Sequence, residues 1–78
     1  MYDKMIKFLT SKNGYDLENS TYTVETFKDV DCFYVTVHVR GTVCKDGFQI
    51  LDPDIVIECD GQSAMLVGVY GGMRALLN

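Results

Sequence analysis

Four carboxylates fall within nine residues of the stretch LDPDIVIECDG: Asp52, Asp54, Glu58 and Asp60. Such a cluster could hold a divalent cation, meet a basic partner, or form the wet face of a strand. Residues two apart on one face of a strand are roughly 6.6–7 Å apart. Asp54 and Glu58 would then be about 13 Å apart, too far to chelate one ion. The segment also lacks the glycine and ligand spacing of an EF-hand loop. No metal is therefore expected here. A row of carboxylates at strand spacing could instead imitate a phosphate backbone and enter a basic groove.

His38 and the cysteines are the other groups with chemical potential. Cys32 and His38 share strand parity but are six residues apart, roughly 20 Å along a strand. They cannot form a nucleophile–base pair or bind one ion together. Cys44 and Cys59 fall elsewhere, and a cysteine enzyme needs thiol, imidazole and an orienting acid to converge. The cysteines are odd in number and no C-x-x-C occurs, so neither a disulfide framework nor a zinc knuckle is indicated. Reduced thiols in a cytoplasmic protein are expected. Gly68, Gly71 and Gly72 match neither phosphate-binding glycine pattern, and no cofactor is expected.

These groups must be positioned by a small scaffold. The chain has 78 residues, is 47% hydrophobic and contains one proline. One domain is expected over residues 1–78, with modest stability and little room for a deep cleft. Seven basic residues stand against eleven acidic ones, a net charge of −4. That balance opposes direct nucleic-acid binding, where lysine and arginine supply most of the affinity. No apolar run is long enough to span a membrane as a helix.

YDKMIKFLTSKNG has the spacing of a short helix. Asp3 is placed to cap it, Tyr2, Met5, Ile6 and Leu9 share one side, and Asn13-Gly14 supply the stop. A hairpin turning at Asn13-Gly14 is the rival reading. From Ser20 the period is two. Tyr22 and Val24 alternate with Thr21, Thr23 and Glu25. CFYVTVHVRGTV then places Phe33, Val35, Val37, Val39 and Val43 on a dry face, and Tyr34, Thr36, His38, Arg40 and Thr42 on a wet one.

Cys44-Lys-Asp-Gly47 reads as a hairpin loop, with Val43 facing Phe48. In the return segment FQILDPDIVIECD the apolar positions switch from even to odd, which requires a bulge near Asp52-Pro53. Phe33 should then face Cys59, Val35 face Ile57 and Val37 face Ile55. On the wet side Tyr34 should oppose Glu58, His38 oppose Asp54 and Arg40 oppose Asp52. SAMLVGVY forms a last strand, with Met65, Val67 and Val69 on one face and Ala64, Leu66 and Tyr70 on the other. MRALLN adds a helical turn. The expected fold is α+β: a four-stranded antiparallel meander with the N-terminal helix on its dry face.

The expected function of this acidic protein is to bind another macromolecule, a protein partner with a basic or mixed surface, and not nucleic acid or a membrane. The concrete form is an inhibitor or regulator of phage or mobile-element accessory type that blocks a host defence or nucleic-acid enzyme. Asp54, Glu58, Asp60, Tyr34, His38 and Arg40 would form the polar part of the interface, and Met65, Val67, Val69 and Tyr70 the apolar part. The alternative is a self-associating β module, a homodimer or larger, that pairs through Ser63–Tyr70 and encloses a small ligand. A third reading is a small enzyme using His38 or Cys44; no catalytic constellation is expected.

Overall fold

A computed structural model of the chain describes residues 2–17 and 20–76. Among the described residues one helix, α1 (Asp3–Lys12), precedes seven strands: β1 (Thr21–Lys28), β2 (Phe33–Arg40), β3 (Thr42–Lys45), β4 (Phe48–Leu51), β5 (Asp54–Cys59), β6 (Ala64–Tyr70) and β7 (Met73–Leu76). The larger sheet is antiparallel in the order β1-β2-β5-β6, and a smaller one has the order β3-β4-β7. The expected helix and four-stranded antiparallel sheet are present, and the smaller sheet is an addition to them.

Helix α1 forms because Ile6 and Leu9 can leave water on one side, where both are buried. Tyr2 and Met5 pack beside them against the sheet. Asp3 lies inside the first turn instead of capping it, and no side chain caps the helix at Tyr2. Its carboxylate accepts a hydrogen bond from the Tyr22 hydroxyl at 2.6 Å, tying α1 to the edge strand β1. Thr10 is buried on an apolar face because its Oγ1 donates to the Ile6 carbonyl at 2.7 Å, so the hydroxyl is satisfied without water.

The core follows the expected parity. Val35, Val37, Val39, Ile55, Ile57 and Cys59 are buried beneath Ile6 and Leu9. Phe33 pairs with Cys59, Val35 with Ile57 and Val37 with Ile55, as the alternation requires. The phenylalanines do not all follow: Phe8 and Phe27 are exposed.

The hairpin corrects the expected register. Lys45 faces Phe48 and Val43 faces Ile50, so the loop is only Asp46-Gly47. Both residues have positive φ, 50° and 82°, which suits the tight turn of a twisted two-stranded ribbon. At the junction of the two sheets, Val39, Arg40 and Gly41 lie opposite only Asp52 and Pro53. The extra residue therefore sits on the first strand, while the switch in inward parity sits at Asp52-Pro53. Asp52 takes φ 54°, its Oδ1 accepts from the Gly41 amide at 2.7 Å, and its own amide donates to the Gly41 carbonyl at 3.0 Å. Arg40 faces Thr21 across β1 and not Asp52, which is occupied by Gly41.

Two further corrections concern the C-terminal third. Strand β6 carries a bulge opposite Val56/Ile57, so Ile57 pairs with Leu66 and Val56 with Gly68. Val67 is the unpaired residue. The bulge turns Val69 inward with Ala64 and Leu66, and leaves Met65, Val67 and Tyr70 exposed. Met73–Leu76 is strand β7, paired with β4, rather than a helical turn; Leu77 and Asn78 lie outside the described residues. The reversal at Gly71-Gly72 makes this pairing reachable.

Gly72 has φ 76°, and a Cβ there would fall 2.8 Å from Ile50 Cγ2 and 2.9 Å from the Leu51 carbonyl oxygen. Gly61 has a comparable φ of 94° with open space around it. Gly72→Ala should lower stability by about 2 kcal/mol or more, while Gly61→Ala costs only about 1 kcal/mol of backbone strain. Urea denaturation of both variants measures the difference, which isolates the close approach from the positive φ.

Candidate functional site

Alternation in β1, β2 and β5 sends one set of side chains into the core and the other to the opposite face of the large sheet. The pairings arrange that open face in rows. One row runs Phe27, Tyr34, Glu58, Met65; the next Glu25, Thr36, Val56, Gly68; the third Thr23, His38, Asp54, Tyr70. Of the residues expected to form an interface, Tyr34, His38, Arg40, Asp54, Glu58, Met65, Val67 and Tyr70 are on this side. Val69 faces the core, and Asp60 lies past the end of β5.

His38 stands near the centre. In its protonated form it donates from Nδ1 to Asp54 Oδ1 at 2.8 Å and from Nε2 to Glu25 Oε1 at 2.9 Å. One imidazole thus joins β1, β2 and β5. The cross-strand pairing with Asp54 is the expected one. Glu25 reaches His38 along the diagonal, since the residue directly opposite His38 is Thr23. The alternation of β1 already placed Glu25 on the wet face; the β1–β2 register was needed to bring it to His38. The hydrogen bond to Glu25, followed by that to Asp54, raises the His38 pKa above 6.5.

The remaining acids are also engaged. Glu58 lies opposite Tyr34, whose hydroxyl is pushed up to about 12 by hydrogen bonding to Cys32 and then to Glu58, and by the charges of both. Asp60 Oδ1 accepts from the Ser63 amide at 2.9 Å, the Ser63 hydroxyl at 3.0 Å and the Gln62 amide at 3.3 Å. Those bonds hold its carboxyl below the usual range and shape the β5–β6 turn. The acidic row is therefore three separately engaged groups, of which Asp54 alone meets a cation, His38.

The rest of the exposed surface on this face is largely apolar. Phe27, Met65 and Tyr70 are 63%, 59% and 58% exposed, and Val67 is also exposed. Phe27 and Tyr34 form a tilted ring pair with centroids 6.5 Å apart. Tyr70 lies over Gly68, where any side chain would collide with its ring. Phe27 lies beyond Glu25, where the alternation legible in the sequence stops, and its pairing with Tyr34 carries the strand to it.

Among the described residues, no cysteine converges with His38 and an orienting acid. Cys44 lies on β3 opposite Gln49, and the segment around Asp16 pairs with its backbone. Cys32, Cys44 and Cys59 are free thiols; burial raises the pKa of Cys59. Among the described residues, no three His, Cys, Asp or Glu side chains are arranged to hold a metal ion, and the two carboxylates on His38 approach opposite ring atoms. No helix of the described residues is long and apolar enough to cross a membrane. No family model, curated protein or solved structure matches the chain.

The His38 clasp makes stability depend on pH in a defined direction. Its folded pKa is raised, so its contribution is complete below about 6.5, the unfolded value, and declines as pH rises through the folded value. Denaturation midpoints of the wild type should fall across that window, and His38→Gln should flatten the slope. A wild-type midpoint unchanged from pH 6 to pH 9, together with a free-histidine NMR titration, would contradict the clasp.

Proposed function

We propose that the chain is a binding module that docks a protein partner on the open face of its large sheet, acting as an inhibitor or regulator. The observation that supports this most is the grouping of Phe27, Met65, Val67 and Tyr70 on one uncovered face. Exposed aromatic and methionine side chains ringed by polar groups are the usual composition of an interface core and rim. Tyr34 and Tyr70 supply anchors that lose little freedom on binding.

The compensation of Asp54 by His38, and of Asp60 by its own turn, argues for a partner of mixed surface over a purely basic groove. Glu25, Asp54 and His38 together retain one negative charge, and Glu58 adds another, so the rim favours lysine or arginine on the partner without depending on them. The phage or mobile-element version of this reading, blocking a host defence or nucleic-acid enzyme, rests on small size and acidic charge. A reducing, cytoplasmic setting fits the three free cysteines. The occupation of both His38 ring nitrogens by carboxylates supports a role for His38 in holding strands together rather than in catalysis.

Immobilised wild-type protein should capture a specific partner from the cell of origin, and Tyr34→Ala/Met65→Glu should weaken that capture by about thirtyfold or more, about 2 kcal/mol. Met73→Ser, on the small sheet, should leave it unchanged. Because the interface is largely apolar, capture should persist in part at high salt. Capture indifferent to the Tyr34/Met65 change, or equally sensitive to Met73→Ser, would overturn this use of the face.

A further inference from the structure

The sheets expose four edges, and three of them are blunted. Strand β6 is interrupted by its bulge at Val67. Strand β3 is met by Asp16, whose amide donates to the Cys44 carbonyl at 3.1 Å. Strand β7 is only four residues long. Strand β1 differs from all three. It runs eight residues, Thr21–Lys28, pairs regularly with β2 along its whole length, contains no proline or bulge, and has no strand on its other side among the described residues. A long regular edge offers a row of unmatched amides and carbonyls, which proteins ordinarily block.

We propose that β1 pairs antiparallel with β1 of a second copy, joining two large sheets into one continuous eight-stranded sheet. This inference is independent of the partner-binding reading. It moves the expected self-association from Ser63–Tyr70 to Thr21–Lys28. The identity of the occupant follows from a row that crosses the dry side of the sheet: Val69, Ile55, Val37 and Val24 are consecutive partners. The first three are packed into the core, whereas Val24 ends the row 38% exposed at the sheet edge. A second copy with Val24 against Val24 completes the row symmetrically.

The twofold axis selects this register. Antiparallel neighbours present their side chains to the same side of a sheet, so a twofold axis normal to it can pair only residues of equal parity. Two registers overlap β1 almost fully. Centring on Glu25 sets Glu25 against Glu25, a like-charge pair. Centring on Val24 sets Tyr22 against Thr26 on the dry side, and Thr23 against Glu25 and Thr21 against Phe27 on the open side, with no like charges opposed. Both open faces then point the same way, forming one doubled surface.

The test uses the full chain without any partner. Sedimentation velocity should show a monomer–dimer equilibrium, with the dimer at twice the 8.8 kDa chain mass. Val24→Lys, folded by circular dichroism, should be monomeric because two ammonium groups meet at the axis. In a background with Cys32→Ser and Cys44→Ser, Val24→Cys should oxidise to a covalent dimer, since directly opposed residues lie within disulfide reach. Thr26→Cys, opposite Tyr22, should cross-link far less. A monomer at millimolar concentration would overturn the proposal. So would a dimer that survives Val24→Lys, or one that cross-links equally through residues 24 and 26.

Discussion

The structure depends on the register between Phe33–Arg40 and Asp54–Cys59. With Val35 against Ile57 and Val37 against Ile55, the branched aliphatics of the two central strands turn to the helix, Val56 on the open face excepted. A slip of one residue would send Tyr34, Glu58 and Asp54 into the core and expose the valines and isoleucines. The same register places His38 beside Asp54, so the interaction that joins three strands on the wet side is available only when the dry side is correctly packed. Packing and the polar clasp thus select one alignment.

Clean alternation in two strands that share one buried face fixes the parity of that register. The expected alignment meets the observed one because two offsets cancel, the hairpin pairing Val43 with Ile50 and not Phe48 and the extra residue lying on the first strand. The limits of alternation were equally physical. The parity change at Asp52-Pro53 announced an irregularity, but parity alone does not say which chain holds the extra residue. The answer lies in the two-residue Asp46-Gly47 turn, which shifts the hairpin so that Val39–Gly41 carries the excess. For the same reason the small sheet was invisible: a bend at Gly41 divides what reads as one long strand. Met73–Leu76 is too short for periodicity to distinguish helix from strand, and its pairing with β4 decides the matter.

The face opposite the helix gains its character from what the fold uses up. Asp54 is committed to His38, Asp60 to the Ser63 turn, and Glu58 lies beside the Tyr34 hydroxyl. An acidic segment that reads as a charged surface therefore becomes strand and turn chemistry, and the exposed Phe27, Met65, Val67 and Tyr70 become the less satisfied part. Tyr70 owes its shared exposure with Met65 and Val67 to the β6 bulge, which alternation along that doubly apolar strand could not reveal. The candidate site was thus largely present in the sequence as residues, while its balance of charge and apolar surface required the register.

The most direct measurement is a map of cross-strand proton contacts in solution by NMR, using nuclear Overhauser effects between facing backbone positions. Contacts linking Tyr34 with Glu58, Val35 with Ile57 and His38 with Asp54, continued from Thr23 to His38 on the outer strand, are the predicted result. A ladder displaced by one residue in either strand would contradict the account, because it would dissolve both the core and the His38 clasp.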